Sequence, residues 1–178
     1  MVLQDMMIKS RLKHLLFITV FCTPVVNAGA YMGLAVSRNN IITDAGSTSP
    51  ATSNLRLGYA VDNHKFELVV MSGIKDDNIN QLVTDLPNTR SLFYRHSVKL
   101  IDTLYLDLIL GYSKVDIETS YAGTPGTTES FKGASFGIGF EEALKSIPQL
   151  KFKMDFIQLY RGDQLKINSY NAGYRYEF

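Results

Sequence analysis

The chain has 178 residues, of which 46% are hydrophobic and 20% charged, with a formal net charge of +1 and one cysteine. This length fits one domain. The apolar content argues against a disordered chain, and one cysteine excludes an internal disulfide framework. The near-neutral charge gives no electrostatic reason to expect nucleic acid as a partner.

The N-terminus has the pattern of a secretory signal peptide. Lys9, Arg11 and Lys13 precede a short apolar run at residues 15–26, and small residues up to Ala28 provide a cleavage site. The apolar run is shorter than the roughly 20 residues that a spanning helix needs. We therefore predict export and cleavage after Ala28.

This cleavage divides the chain into a signal peptide, residues 1–28, and one domain, residues 29–178. The removed segment contains three basic residues, one acidic residue and the cysteine, so the net charge changes from +1 to −1. A domain without cysteine suits an oxidising compartment. The sequence leaves three start codons open: Met1, Met6 and Met7.

The exported domain shows alternation instead of a long apolar run. Without such a run after Ala28, the domain can span a membrane only as a closed β-barrel. In residues 104–113 the even-numbered positions are Leu, Leu, Leu, Leu and Tyr, whereas the odd-numbered positions are mixed. Because successive side chains of a strand point to opposite faces, this pattern predicts a strand with one apolar face.

The same alternation recurs along the domain and predicts eight strands. They are centred on residues 32–37, 54–61, 66–71, 92–100, 104–113, 133–141, 150–161 and 169–178. An even number of amphipathic strands is typical of bacterial outer-membrane barrels. The predicted fold is all-β: an eight-stranded antiparallel up-and-down transmembrane β-barrel, preceded by a cleaved signal peptide.

Charged residues lie on the other face of these strands. An Arg or Lys that faces lipid at the bilayer midplane costs roughly 2–4 kcal/mol, so the charged face is predicted to line the lumen. Strand adjacency suggests that Arg56 pairs with Glu67 and Lys99 with Asp107. The predicted lumen charges are Arg56, Glu67, Arg95, Lys99, Asp107, Lys153, Asp155, Arg175 and Glu177.

Connections and aromatic residues supply the orientation. Residues 38–52, 72–90 and 116–130 are predicted to be long extracellular loops, and the connections between them are short. Aromatic residues are expected to form girdles at both membrane surfaces. The predicted outer girdle contains Tyr94, Tyr112, Tyr160 and Tyr170, and the periplasmic girdle contains Tyr59, Phe66, Phe140, Phe152, Tyr174, Tyr176 and Phe178.

The C-terminal segment at residues 171–178 carries aromatic residues at Tyr174, Tyr176 and Phe178. This spacing resembles the terminal strand signal of bacterial outer-membrane barrels. The segments at 30–37 and 110–113 are similar to strands of the small OmpA-like/OmpX-like barrel family. The resemblance implies an outer-membrane location, recognition of the last strand by the barrel assembly machinery, periplasmic chaperones, and lipopolysaccharide as a neighbour.

The resemblance implies no specific activity and no cofactor. The first functional hypothesis is a non-enzymatic surface barrel that contributes to membrane integrity and contacts lipopolysaccharide, host surfaces or other ligands. The alternatives are a narrow channel for small solutes and a lipid A-modifying enzyme. A lumen filled by charged side chains argues against free diffusion, because open channels occur in larger barrels.

The two histidines of the exported domain provide little for an enzyme. A lipid A deacylase would need a serine two residues from its histidine on the same face, but Tyr94 and Val98 occupy those positions around His96. Ser97 points to the opposite face. His64 lies in a predicted periplasmic turn, and two separated histidines do not predict a metal site. The role of His96 on the lipid face stays open.

Overall fold

The computed structural model describes residues 28–44, 46–121 and 124–178, so nearly all of the predicted signal peptide lies outside the described residues. No helix among the described residues is long and apolar enough to cross a membrane. The strands are β1 (Ala28–Thr43), β2 (Gly46–Thr48), β3 (Ala51–Val61), β4 (His64–Lys75), β5 (Asp77–Ile79), β6 (Leu82–Lys99), β7 (Leu104–Tyr121), β8 (Thr127–Leu144), β9 (Ile147–Arg161) and β10 (Leu165–Glu177).

Eight of these strands form one closed antiparallel barrel. Sheet neighbours follow the chain from β1 through β3, β4, β6, β7, β8 and β9 to β10. β10 then pairs with β1, with Met32 opposite Tyr176 and Leu34 opposite Tyr174. The short β2 and β5 pair with β1 and β6 at one end. The predicted eight-stranded barrel is therefore confirmed.

Side chains alternate between an exposed outer face and a buried inner face. On β1, Leu34 is 64% exposed and Ser37 is 4% exposed; on β7, Leu110 is 59% exposed and Ile109 is 1% exposed. The outer face carries the apolar residues, which is the arrangement required by surrounding lipid. The alternation read from the sequence is thus confirmed in these strands.

One end of the barrel holds the short turns at residues 62–63, 100–103 and 145–146. Both ends of the barrel sequence meet there, since the Phe178 N–H donates to the Ala30 carbonyl oxygen at 2.9 Å. Short turns are typical of the periplasmic side of outer-membrane barrels. We call this the periplasmic end and the opposite one the extracellular end.

The strands extend well beyond the membrane. β6, β7 and β8 each have 18 residues, whereas a tilted spanning strand needs about 9–11. The surplus lies at the extracellular end, so the prediction of long loops at 38–52, 72–90 and 116–130 is wrong over much of their length. Above the membrane the outer face meets water, and these segments therefore lack the apolar alternation that identifies spanning strands.

Two aromatic residues assigned to the outer girdle lie elsewhere. Tyr94 is near the periplasmic end, with its ring centroid 5.6 Å from that of Phe66, because β6 extends far above the predicted strand. Tyr160 packs against Phe131 at 5.5 Å. A register shift in β9 and β10 places Tyr160 opposite Ile167, which is fully buried. A β-bulge of this kind redirects the following side chain.

Candidate functional site

Charged side chains fill the periplasmic half of the lumen. Glu67 on β4 is central: its carboxylate oxygens lie 2.9 Å from Arg56 Nη1 and 2.8 Å from Lys153 Nζ. Arg95 Nη2 lies 3.2 Å from Glu67 and 2.7 Å from Asp155. We define the lumen ion-pair network as Arg56, Lys65, Glu67, Arg95, Asp107, Glu141, Lys153, Asp155 and Arg175, all of which are buried.

The antiparallel register explains how distant parts of the chain supply this network. Arg56 Nη1 also contacts Asp155 at 2.8 Å, which joins β3 to β9 across the lumen. Arg95 Nη1 contacts Asp107 at 3.1 Å, which joins β6 to β7. At this level β3 presents its even-numbered side chains inward and the other strands of the network present their odd-numbered ones, so opposite charges from different strands meet on the barrel axis. Such pairing offsets the large cost of burying isolated charges.

Seven of the nine predicted lumen charges belong to the network. Glu177 lies lower, half-buried, and contacts Lys151 at 2.7 Å. The prediction that Lys99 lines the lumen is wrong, because its side chain is 54% exposed and pairs with Asp102 at 3.4 Å. The predicted pair with Asp107 is wrong because Ser97, not Lys99, lies opposite Asp107 in the register.

Two members of the network, Lys65 and Glu141, are missing from the sequence prediction. Lys65 Nζ lies 3.2 Å from both Asp107 and Glu141. Arg175 Nε lies 2.7 Å from Glu141. Lys65 shares the odd-numbered face of Glu67 but lies just outside the predicted strand at 66–71. Parity along the strand was therefore the signal that could have found both residues.

Tyr31 closes the lumen beside the network. Its ring lies under the Arg175 guanidinium, 4.3 Å from ring centroid to Cζ, and its hydroxyl donates to Glu67 at 3.3 Å. Gly58 lies opposite Tyr31 on β3, and a Cβ there would fall 2.1 Å from Tyr31 Cζ. Glycine is thus required for the ring to fold across the lumen. These contacts hold strands together and fill space that a solute would need.

The extracellular half of the lumen is apolar. Buried residues of six strands form one cluster, which we call the upper apolar cluster: Ile41, Val69, Met71, Leu86, Phe93, Ile109, Val115, Ile117, Ile157, Leu159 and Ile167. Above it lies an extracellular cavity of about 460 Å³, lined by residues that include Ile117, Phe131 and Leu165. Asp44 and Glu129 contribute carboxylates to its lining. The cavity therefore ends on the upper apolar cluster.

Three basic residues stand side by side on the outer face of β6, β7 and β8. Arg90 lies opposite Lys114, and Lys114 lies opposite Lys132. They come directly above Leu92, Tyr112 and Ala134, the upper edge of the apolar outer face on these strands. We call these three residues the basic row. Like charges directly opposite one another on a sheet repel, so the row favours an anion. Lys114 also pairs with the Asp116 carboxylate at 3.2 Å.

Both histidines face outward near the periplasmic end. His64 is the first residue of β4 and lies opposite His96 of β6. Ser97 faces the lumen instead, where its hydroxyl donates to Asp107 at 2.6 Å. The structure thus keeps the serine and the histidines on opposite sides of the barrel wall.

The three residues of the predicted assembly signal lie on the outer face of the closing strand. Tyr174, Tyr176 and Phe178 are 53%, 43% and 75% exposed. The rings of Tyr176 and Phe178 meet edge to face with centroids 5.4 Å apart. This aromatic group lies beside the seam between β10 and β1.

Solved structures with the same fold come from several bacteria. Ail of Yersinia pestis, solved with the heparin analogue sucrose octasulfate, is similar with a TM-score of 0.64 at 13% identity, over 86% of this chain and 100% of that one. Neisserial surface protein A is similar with a TM-score of 0.63 at 11% identity, over 85% and 99%. The N-terminal β-barrel domain of Pseudomonas aeruginosa OprF has a TM-score of 0.51 at 12% identity, over 81% and 97%.

At these identities the structural comparisons establish the fold alone. No curated protein sequence matches the chain significantly. The family described as outer membrane protein beta-barrel domain matches residues 14–178, which is most of the chain and includes every described strand. The chain therefore belongs to the outer membrane protein beta-barrel domain family and is a small eight-stranded barrel of the bacterial outer membrane.

Proposed function

We propose that this barrel is a non-enzymatic surface protein that contributes to outer-membrane integrity by binding lipopolysaccharide through the basic row. The observation that carries the proposal is the in-register alignment of Arg90, Lys114 and Lys132 above the apolar outer face. Lipid A carries phosphate groups at the boundary between its acyl chains and its sugars. Arg and Lys are the side chains that bind phosphate best.

The projecting strands support a further role in surface contact. β6, β7 and β8 carry a continuous sheet beyond the membrane surface, so this part of the barrel can reach a host surface or a neighbouring polysaccharide. Ail was solved with a polyanionic heparin analogue. In this chain the basic row gives an independent reason to expect polyanions as ligands.

The filled lumen weighs against a channel. The guanidinium groups of Arg56 and Arg95 cross the axis to reach Asp155, and the upper apolar cluster lies above them. Enzymatic chemistry is equally poorly supported in the described residues, because Ser97 and the two histidines lie on opposite faces of the wall. A surface barrel is the function that uses the features present.

Lipopolysaccharide binding tests the proposal directly. We expect the triple variant Arg90→Gln, Lys114→Gln, Lys132→Gln to bind lipopolysaccharide more weakly, since each basic residue near an anionic surface contributes about 1 kcal/mol. Loss of all three basic residues then corresponds to a loss of about 100-fold in affinity. Binding is measured on the purified barrel in nanodiscs, at low and high salt.

A matched control is the double variant Lys99→Gln, Lys145→Gln, which removes exposed positive charge at the periplasmic end. This control is expected to bind as the unmodified barrel does. Lipopolysaccharide without its lipid A phosphates is expected to bind the unmodified barrel as weakly as the triple variant binds the intact molecule. Equal binding by all three barrels would refute the role of the basic row.

For assembly, the exposed Tyr174, Tyr176 and Phe178 are the proposed signal read by the assembly machinery and its periplasmic chaperones. Phe178→Asp is expected to abolish insertion, because a charged terminal residue removes the aromatic pattern beside the closing seam. The measurement is the amount of heat-modifiable barrel in outer-membrane fractions. Tyr112→Asp, at the other girdle, serves as a comparison for charge on the outer face; equal insertion of Phe178→Asp and the unmodified barrel would count against the signal.

A further inference from the structure

The two histidines form a close cross-strand pair. The Ser97 N–H donates to the Asn63 carbonyl oxygen at 2.7 Å, one residue beyond the pair on each strand. In an antiparallel ladder this bond marks His64 and His96 as a non-hydrogen-bonded pair, the kind whose side chains lie closest together. Their ring centroids are 5.1 Å apart, with the ring planes inclined at 50°.

Tyr94 orients one of these rings. Its hydroxyl oxygen lies 2.6 Å from His64 Nδ1, and the two rings stack with centroids 5.8 Å apart. When Nδ1–H donates to the tyrosine oxygen, Nε2 keeps the free lone pair that a metal ion requires. A hydrogen bond from the second ring nitrogen is the usual support of a metal-binding histidine.

The separation of the rings fits a shared metal ion. Imidazole nitrogens bind such ions at about 2.0–2.1 Å, which brings the centroids of two rings on one ion to about 4.5–5.5 Å for near-tetrahedral or right-angle geometry. The observed 5.1 Å lies in this range. The pair is therefore spaced for bidentate binding without a change of register.

The pair lies at the periplasmic edge of the outer face. His64 is exposed and His96 is half-buried on the outer face, and the tight turn at residues 62–63 adjoins the pair. Among the described residues no group of three or more His, Cys, Asp or Glu side chains forms a metal cage. Two protein ligands with open positions describe a weak, exchangeable site and not a structural one.

We propose that His64 and His96 bind one divalent transition-metal ion at the periplasmic surface of the barrel, with water in the remaining positions and Tyr94 as a positioning residue. Imidazole ligands suit copper, nickel and zinc ions, and copper(II) is expected to bind most tightly in the usual order of affinities. The site accounts for a pair of polar rings on the outer face at its periplasmic edge, which packing among apolar neighbours does not.

The experiment uses the barrel purified from outer membranes, free of any histidine tag, in nanodiscs without amine buffers. Copper(II) chloride is titrated by calorimetry, and electron paramagnetic resonance counts the nitrogen ligands. We expect one ion per barrel with two coordinated imidazoles. His96→Gln is expected to leave one imidazole and to weaken binding about tenfold or more, because loss of an outer-shell partner alone already weakens metal binding by about this factor.

Tyr94→Phe separates positioning from packing. It keeps the ring and removes the hydroxyl, so two imidazoles should remain in the spectrum while affinity falls about tenfold. Tyr112→Phe is the matched control on the same outer face and should bind as the unmodified barrel does. Heat-modifiable migration verifies that each variant is folded. Copper binding that is equal in the unmodified barrel and in His96→Gln would overturn the proposal, and so would a spectrum without two imidazoles in the unmodified barrel.

Discussion

The two halves of the lumen are both filled by side chains, but the side chains are of opposite chemical character. The periplasmic half is filled by the lumen ion-pair network, whereas the extracellular half is filled by the upper apolar cluster. Around the first half the outer surface is lipid, which is as apolar as a leucine side chain, so burying more apolar surface inside gains little. The upper part of the second half, around Val115 and Ile117, lies above the level of the basic row, where the outer surface meets water and an apolar interior is stabilised as in a soluble domain.

Removing one central charge should have the largest effect on this comparison. Glu67→Gln keeps the shape of the side chain but removes the charge of the carboxylate that Arg56, Arg95 and Lys153 all contact. Breaking a buried ion pair in this way costs about 3–5 kcal/mol. Urea unfolding of the barrel in lipid bilayers measures the loss.

The matched control for this charge is Glu118→Gln, an exposed position of β7 in the extracellular half. Its free energy of unfolding should change by less than about 0.5 kcal/mol. If both variants unfold alike, the network contributes nothing specific to stability and the proposed division of the lumen fails.

A smaller effect is expected in the extracellular half. Ile167 is fully buried in the upper apolar cluster, and Ile167→Val removes one methylene group from it. Such a change in a packed core typically costs about 0.5–1.5 kcal/mol. The same unfolding assay measures it, with Val36→Ala on the exposed outer face as the comparison. A loss in Ile167→Val no larger than the experimental error would mean that this half is loosely packed.

The smallest effect is expected at the extracellular tip between β7 and β8. A short epitope inserted after Pro125 lies between strand ends at Tyr121 and Thr127, and the free energy of unfolding should change by less than about 0.5 kcal/mol. Antibody should label this tag on intact cells. The same tag after Lys145, in a periplasmic turn, should be labelled only after permeabilisation; the reverse pattern would invert the orientation.

Spanning strands were predictable because lipid imposes a simple rule on them. Leu106, Leu108 and Leu110 must face the apolar phase, so alternate positions carry an apolar signal that needs no knowledge of partners. The same segments above the membrane lose that signal. Residues around Ile41 and Leu86 were consequently interpreted as loop, although they belong to strands that enclose the upper apolar cluster.

Contacts between strands were only partly predictable. Arg56 and Glu67 lie on adjacent strands beside a tight turn, and adjacency was enough to suggest their pair, which the structure places at 2.9 Å. The same reasoning gave the wrong partner for Lys99, because its register with Asp107 depends on the length of the turn that joins the two strands. The β-bulge that redirects Tyr160 is likewise a property of two paired strands and has no signature in either strand alone.

By itself the amino-acid sequence determined the class of fold, the number of spanning strands and, away from the β-bulge, which side chains of a spanning strand face lipid, since these follow from alternation within one strand. Only the tertiary structure decided which side chains meet: the pairing of His64 with His96, the basic row, and the partners of Glu67. These depend on register and barrel closure, which bring together residues far apart in the chain.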